Sequence, residues 1–347
     1  MRRLLRVILG LVLLAVLAVG GYWAGKDWLL ARPAGAPGPG RVVEIPKGAG
    51  LNRAAQVLAQ AGVVEQAQLF LLAGFLTREQ GSIKAGEYEL SPAMSNATVL
   101  EHLRHGRVKL HAILLPEGFT LDQILLRLAS FRVLELEAAL GLARDAQFIA
   151  SLGIQGPGLE GFLFPDTYRL PRQYGARAAF TAMVRRFEKA WRPLAPAAQA
   201  HKLTRWQAVT LASIIEKETS LDRERPLVSA VYHNRLQRGM PLQADPTVIY
   251  GLGPQFDGNL TRAHLEQDTP YNTYLRPGLP PGPICSPGQA SLQAAVQPAA
   301  APYLYFVAKG DGSHAFNVTY EAHKKAVNLF QRRGNKRRAA PAQPPGS

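Results

Sequence analysis

Two glutamates stand two residues apart where an apolar stretch of the sequence meets charge. Residues 206–215 (WQAVTLASII) run directly into Glu216, Lys217 and Glu218, with no turn signal between them. A carboxyl group beside hydrocarbon keeps its proton to higher pH because its charged form is poorly solvated. Such a group can act as a general acid near neutral pH. A helix end that simply meets water gives the same pattern, and on this pattern alone that interpretation is favoured.

Other segments carry groups that could bind a sugar. Tyr271–Tyr274 (YNTY) combines aromatic rings with an amide, and a rigid loop follows at Gly278–Ile284 (GLPPGPI). Sugar rings stack on aromatic side chains, and their hydroxyls pair with amides. A loop packed by its own tyrosines is an equally good interpretation, and His314 is either a structural hydrogen bonder or a site residue. Asp245, followed by Pro246, is interpreted as a helix cap.

The sequence offers no pattern for a metal or a cofactor. Its eight histidines lack the spacing of a metal site, and it contains neither a glycine-rich phosphate loop nor a nucleophile elbow. Cys285 is the single cysteine, so neither an internal disulfide nor a cysteine-based metal site is expected. We therefore expect no cofactor and no metal.

The N-terminus indicates export. Three arginines, the last of them Arg6, precede an apolar run at Val7–Trp23, which is just long enough to span a bilayer. The arginines predict a cytoplasmic segment at 1–6, a transmembrane anchor at 7–25 and an outward-facing remainder. A cleaved signal peptide, with a small-residue site at Ala34–Ala36, is the alternative.

The formal net charge of +15 favours a polyanionic partner: nucleic acid, anionic lipid, or a polymer that carries carboxylates. Export argues against nucleic acid, so we expect a membrane protein with no nucleic-acid partner and with its main part outside the cytoplasm.

The remaining elements predict an α+β fold in two parts. Residues 26–40 contain a Pro/Gly/Ala linker. A small α+β module follows at 41–115, with short strands at its ends and helices between them, one of them at 96–105 and ended by Gly106. Residues 116–331 contain longer helical patterns, at 176–190, 204–219 and 224–238, and Gly/Pro-rich loops. Residues 332–347 form a basic, Ala/Pro-rich tail that we expect to be disordered.

Several strings, in order along residues 40 to 330, resemble those of the YceG-like endolytic murein transglycosylase family. They are EGFLFPDTY at Glu160–Tyr168, ASIIEKET at Ala212–Thr219, NRL at Asn234–Leu236, LQADPTVIYG at Leu242–Gly251, YNTY at Tyr271–Tyr274, GLPPGPI at Gly278–Ile284, PYLYFV at Pro302–Val307, and His314 with Phe316. The resemblance implies a single-pass inner-membrane anchor, a LysM-like subdomain at 41–115 and a catalytic domain at 116–331.

The resemblance also implies the site. The first glutamate of the ASIIEKET string, Glu216, is expected to be the catalytic acid and base. We expect Glu218, Gln243, Tyr271 and Asn272 to support it or to bind substrate. Glu160 either faces the same cleft or only anchors its loop.

The implied reaction is that of a lytic transglycosylase acting on peptidoglycan strands. The bond between N-acetylmuramic acid and N-acetylglucosamine breaks, and the muramic C6 hydroxyl closes a 1,6-anhydro ring without water. An anchored enzyme would cut near the membrane and terminate nascent strands, with penicillin-binding synthases as candidate partners. Two alternatives stay open: a muramidase-type hydrolase, which usually needs a second carboxylate, and a non-enzymatic wall-binding division scaffold.

Overall fold

The computed structural model describes residues 2–77 and 83–332 and shows a mixed α+β protein that divides into two compact units. The first unit comprises the chain up to His111 together with Arg169–Gln173, and the second contains Ala112–Tyr168 and the chain from Tyr174 onward. The predicted α+β class is therefore confirmed. Most of the tail expected at 332–347 lies outside the described residues.

The first helix, α1, extends over Arg2–Ala31. Its segment Leu4–Ala31 is long and apolar enough to cross a membrane. A signal sequence meets the same criterion, so the helix fits both interpretations of the N-terminus. Residues 26–31, which we assigned to the linker, continue the helix, since neither proline nor glycine interrupts them.

The first unit is built on a two-stranded sheet. β1 (Arg41–Ile45) pairs with β2 (Gly86–Leu90) in antiparallel register, with Val43 opposite Tyr88. Between them lie α2 (Leu51–Gln60) and α3 (Ala67–Leu76), and α4 (Asn96–His105) follows. This βααβ order agrees with the expected module, and its likeness to LysM remains a prediction.

The end of α1 belongs to the core of the first unit. Leu29 and Ala34 are buried in the same cluster as the sheet residues. Asn96 donates to the Leu29 carbonyl at 3.0 Å, and the Ala34 amide donates to the Met94 carbonyl at 2.8 Å. The chain that leaves the apolar helix is thus hydrogen-bonded to the unit.

The second unit is mainly helical. Its strands form two-stranded sheets, β3 with β4 and β5 with β6. The elements, in chain order, are β3 (His111–Leu115), α5 (Leu121–Ser130), α6 (Leu136–Leu142), α7 (Ala146–Ser151), β4 (Asp166–Leu170), α8 (Ala176–Trp191), α9 (Ala195–Ala200), α10 (Arg205–Glu218), α11 (Arg225–Gln237), α12 (Asp245–Leu252), α13 (Arg262–Glu266), α14 (Gln289–Val296), β5 (Tyr305–Ala308), β6 (His314–Asn317) and α15 (Tyr320–Val327).

Helix α10 is the centre of this unit. A capping box formed by Thr204 and Gln207 starts it. All residues from Ala208 to Ile215 are buried, because α10 packs against α11, α12 and α14. The helix ends at Glu218. The two glutamates singled out in the sequence therefore lie on the last turn of a core helix.

Candidate functional site

Glu216 is held by protein groups on both carboxylate oxygens. Oε1 accepts from Nη2 of Arg225 at 3.4 Å, and Oε2 accepts from the backbone N–H of Gly288 at 3.0 Å. The side chains of Glu216 and Arg225 are 7% and 6% exposed. Arg225 also donates from Nε to Ser291 and pairs with Asp222. The interactions of Glu216 therefore join α10 to α11 and to the start of α14.

A further carboxyl, which the sequence analysis missed, lies beside this ion pair. A Cβ added at Gly288 would fall 1.9 Å from Oε1 of Glu117, so the Glu117 carboxyl packs directly against that glycine. Burial and the charge of Glu216 raise the pKa of Glu117. Glu117 precedes Gly118, whose backbone N–H donates to Ser286. We call Glu216, Arg225, Gly288 and Glu117 the Glu216 cluster.

Glu218 instead lines an open cleft of about 490 Å³, which we call the Glu218 cleft. Its wall also contains an apolar patch from β5 and α15. The polar groups that line it come from several separate segments of the chain, and they include Glu218, Arg235, Gln243, Asp245, Tyr274 and His314. A cleft with several convergent polar groups is the usual form of a ligand site.

The surroundings of Glu218 favour its protonated form. Burial raises the pKa of Glu218 to about 7, and the charge of Asp245 adds to that effect. Tyr232 opposes it by donating from its hydroxyl to Oε1 at 2.6 Å. Among the described residues, Oε2 has no hydrogen-bond donor, so one oxygen of this carboxyl remains available to a ligand in the cleft.

Gln243 is held in an unusual conformation at the edge of the cleft. Its φ of 51° lies in the left-handed region, where residues other than glycine are uncommon and often functional. The amide N–H of Gln243 donates to the Thr273 carbonyl at 3.0 Å. Its Oε1 and the carbonyl of Leu242 both accept from Nη1 of Arg235, at 3.2 and 2.8 Å. The buried arginine thus fixes this segment.

Glu224 holds His314 in position through two contacts. His314 donates its backbone N–H to Glu224 at 3.1 Å, and its Nδ1 lies 2.7 Å from the other oxygen of Glu224. A buried carboxylate at Nδ1 leaves Nε2 for the cleft.

The interpretation of Asp245 as a helix cap is wrong: Ala244 precedes the helix as its cap residue. Asp245 accepts from the hydroxyl of Tyr274 at 2.5 Å, because the tertiary fold brings that tyrosine to it.

Glu160 lines a different and larger cavity of about 660 Å³, which we call the Glu160 cavity. Its carboxylate accepts from the backbone N–H of Leu121 at 3.0 Å and from the hydroxyl of Tyr250 at 3.0 Å. Burial raises its pKa to about 7. Tyr271 lines this cavity too. Of the two possibilities for Glu160, the anchoring of a loop is observed, and the carboxyl does not line the Glu218 cleft.

Asn272 is completely buried. Its amide donates to the carbonyls of Leu265 and Gln267 at 3.0 and 2.8 Å, so the side chain has no exposed atom for a substrate. The six predicted site residues are therefore distributed over separate places in the second unit. Glu218 and Gln243 share one cleft, Glu160 and Tyr271 share another cavity, and Glu216 belongs to an ion-pair cluster.

The described residues, 2–77 and 83–332, contain no group of three or more His, Cys, Asp or Glu side chains that could hold a metal ion. The chemistry that the Glu218 cleft offers is acid–base catalysis by a carboxyl with a pKa near neutrality, next to a second carboxylate and an oriented histidine. A model of the YceG-like family matches residues 43–329.

The chain belongs to the YceG-like family. A relative named endolytic murein transglycosylase, from Bacillus subtilis, is 30% identical over 306 residues, which are 83% of this chain and 84% of the relative. A relative of the same name from Streptococcus pneumoniae is 31% identical over 92% of this chain. The match covers 64% of that longer protein.

A crystal structure of a yceG-like protein from Listeria monocytogenes is also similar to this family member. It has 34% sequence identity and a TM-score of 0.58. The match covers 82% of this chain and 98% of the Listeria chain. The resemblance found in the sequence motifs is thus confirmed.

Proposed function

We propose that this protein cleaves the glycan strands of peptidoglycan as a lytic transglycosylase, on the outer side of the cytoplasmic membrane. Membership of the YceG-like family and the name shared by its curated relatives support this function. The observation that carries the chemistry is a glutamate with a raised pKa and an unoccupied oxygen in a polar cleft.

We further propose that Glu218 is the acid and base, and this revises the role that the sequence suggested for Glu216. A general acid must present a proton to the substrate, and Glu218 lines the cleft with a pKa of about 7. Glu216 does not line that cleft, and Arg225 and Gly288 already occupy its oxygens. A carboxyl at the C-terminal end of α10 is also disfavoured in its charged form by the helix dipole.

The reaction needs one carboxyl group twice. Protonated Glu218 donates to the oxygen that links N-acetylmuramic acid to N-acetylglucosamine, and the bond from that oxygen to the muramic C1 breaks. Positive charge develops on the muramic ring. The C6 hydroxyl of the same ring then attacks C1, and the Glu218 carboxylate takes its proton. The products are a free C4 hydroxyl and a 1,6-anhydro end, no water is consumed, and Glu218 is protonated again.

The other groups of the cleft have supporting roles in this proposal. The hydroxyl of Tyr232 orients the carboxyl of Glu218. Arg235 holds the segment of Gln243, whose amide is offered to sugar hydroxyls. Because the attack of C6 is intramolecular, orientation of the muramic ring supplies much of the rate. Glu224 fixes His314, so that its ring can position the substrate.

A muramidase-type hydrolase is the second candidate, and Asp245 is the observation that favours it. This carboxylate lines the same cleft as Glu218 and interacts with its charge. A hydrolase usually uses such a second carboxylate to activate water or to attack C1. In the transglycosylase, Asp245 instead stabilises positive charge on the ring.

Mass spectrometry of digested glycan strands tests both candidates and the choice of acid. The full-length protein, Glu218→Gln and Glu216→Gln are incubated with purified strands that lack peptides. We expect anhydro-muramic ends from the wild type and from Glu216→Gln, and no new ends from Glu218→Gln. Reducing ends would support the hydrolase, and no cleavage by any variant would favour the scaffold. Full activity of Glu218→Gln would contradict its proposed role.

The apolar helix leads to a proposal about place. If α1 remains as an anchor, cutting is restricted to glycan near the membrane, where penicillin-binding synthases extend it, and the enzyme terminates nascent strands. The βααβ module would act as a LysM-like holder of glycan. An exported version without residues 1–25 tests the geometric part: it should fail to restore strand length in a deletion strain, and full restoration would contradict the need for an anchor.

A further inference from the structure

The Glu160 cavity lies outside the proposed catalytic cleft but within the same unit. Helix α12 connects the two: Asp245, at its start, lines the Glu218 cleft, whereas Ile249 and Tyr250 line the Glu160 cavity. Four to five helical residues separate these positions by about 6–8 Å along the axis. Tyr274 and Tyr271 divide between the cleft and the cavity in the same way.

A tryptophan in the wall of this cavity is held rigidly. Phe162 stacks on the Trp206 ring at 5.4 Å with an angle of 17° between the ring planes. The Nε1 of Trp206 donates to the carbonyl of Pro281 at 2.9 Å. A Cβ added at Gly156 or at Gly282 would fall 2.0 or 2.7 Å from the ring, so both positions need glycine. This packing holds the side chain of Trp206 in one rotamer, so that its ring forms a large aromatic surface in the cavity wall.

The polar groups of the cavity are few and oriented. Tyr250 packs beside Tyr271, with 4.8 Å between ring centroids, and donates to Glu160. The hydroxyl of Tyr271 has no hydrogen-bond partner among residues 2–77 and 83–332, so it is available to a ligand. Asp122 and Arg144 add one charge of each sign to the lining. Burial raises the pKa of Glu160 to about 7, so this carboxyl is mostly uncharged under mildly acidic conditions.

We propose that the Glu160 cavity is a second carbohydrate site, which binds an uncharged N-acetylhexosamine unit of the same glycan strand away from the point of cleavage. A pyranose ring presents C–H faces to aromatic rings and hydroxyls to oriented polar groups, and a volume of about 660 Å³ lies in the range of small-ligand sites. This inference rests on the proposed function. A site this close to the cleft makes the enzyme prefer strands longer than the disaccharide that contains the cleaved bond, because a disaccharide fills only the cleft.

Two substitutions alter the cavity without changing the Glu218 cleft. Tyr271→Phe removes only the available hydroxyl. Gly158→Phe places a ring in the lining at a position where an added Cβ meets no atom closer than 3.8 Å. Gly141→Phe is the matched control, because nothing lies within 4 Å of an added Cβ there and Gly141 does not line the cavity. Thermal unfolding of each variant checks that it folds.

The experiment compares kcat/KM on long glycan strands with kcat/KM on the disaccharide that contains one cleavable bond between N-acetylmuramic acid and N-acetylglucosamine. We expect the wild type and Gly141→Phe to prefer long strands. The ratio should fall about tenfold in Gly158→Phe and about three- to tenfold in Tyr271→Phe, the effect of one lost hydrogen bond. Calorimetry with N-acetylglucosamine tetramers, in the Glu218→Gln background, should show weaker binding by the same factors.

The outcomes separate the two proposals. No cleavage of any glycan by the wild type would remove the proposed function. Cleavage with no length preference, or with a preference that Gly158→Phe and Tyr271→Phe leave intact, would overturn the second site while the proposed function stands. Should Gly158→Phe fail to fold, Tyr271→Phe with the calorimetric measurement decides the matter.

Discussion

Glu216 and Glu218 lie on the same helical turn, yet their surroundings differ in almost every respect. Glu216 pairs with a buried arginine and a backbone N–H. Glu218 receives one tyrosine hydroxyl and lines an open cleft, where burial raises its pKa. Residues two apart on a helix point to different sides. The comparison teaches that the chemistry of a carboxyl depends on what surrounds it, since sequence neighbours can have opposite roles.

The largest expected effect separates the two residues by activity. Glu218→Gln keeps the size of the side chain and removes its acid, so kcat should fall by about 10²- to 10⁴-fold. Glu216→Gln should retain activity within a few-fold when rates are corrected for the folded fraction. Release of anhydro-muramic ends measures both, and equal losses in the two variants would break the comparison.

The second prediction concerns stability, for which the substitution of Glu216 should have a larger effect than the substitution of Glu218. In Glu216→Gln the buried guanidinium of Arg225 loses a charged partner, so the free energy of unfolding should fall by about 1–3 kcal/mol. Glu218→Gln should not reduce it. Urea unfolding at pH 7 measures both values. A larger loss in Glu218→Gln would show that the cleft carboxyl is the structural one.

The third prediction concerns the dependence of stability on pH. Glu218 and Glu160 have folded pKa values of about 7, raised from 4.5. Between these values the folded protein binds more protons than the unfolded chain, so their contribution is present below pH 4.5 and is lost as pH rises to about 7. Over that pH range, the ionisation of each carboxyl should lower the free energy of unfolding by on the order of 1–3 kcal/mol.

Denaturant unfolding at pH 5 and pH 8 checks this sign. The wild type should lose more stability between these pH values than Glu218→Gln or Glu160→Gln, because a glutamine side chain does not titrate. Glu44→Gln is the control, since Glu44 is an exposed residue on β1 and should leave the difference unchanged. An unaltered pH dependence in both test variants would contradict the raised pKa values.

The smallest expected effect tests the link between Tyr232 and Glu218. The tyrosine hydroxyl lowers the pKa of Glu218, so Tyr232→Phe should raise that pKa and move the alkaline limb of the kcat profile to higher pH. One hydrogen bond corresponds to about 0.4–1 pH unit. The pH profile measures the shift. A limb that stays in place, or moves to lower pH, would show that the Tyr232 hydroxyl does not lower the pKa of the catalytic acid.

Local patterns predicted many helices correctly. The prediction of a helix at 96–105 agrees with the structure residue for residue, because Ser95 caps its start and Gly106 ends it in the left-handed conformation. Helices α8, α10 and α11 agree within one or two residues. The short helix α14 was not predicted, although its first turn contacts the Glu216 cluster. Its apolar pattern follows a Pro/Gly-rich loop and is only eight residues long.

The candidate site was predictable as a set of segments but not as a geometry. The strings around Glu218, Gln243 and Tyr271 were found, but nothing in their spacing shows that the first two share a cleft and the third lies elsewhere. Glu117, Arg225 and Arg235 were missed. Glu117 contacts a residue 171 positions away, Arg225 one that is 9 positions away, and Arg235 residues that are 7 and 69 positions away. Such contacts leave no periodic signal.

The sequence by itself determined the apolar N-terminal helix, the α+β class, the family and the pair of glutamates at the end of α10. These depend on composition, local periodicity and short motifs, which the chain carries along its length. Only the tertiary structure decided which glutamate faces an open cleft and which lies in an ion pair. That choice depends on how α11, α12 and α14 pack around α10, since packing sets the solvation and the charge partners of each carboxyl.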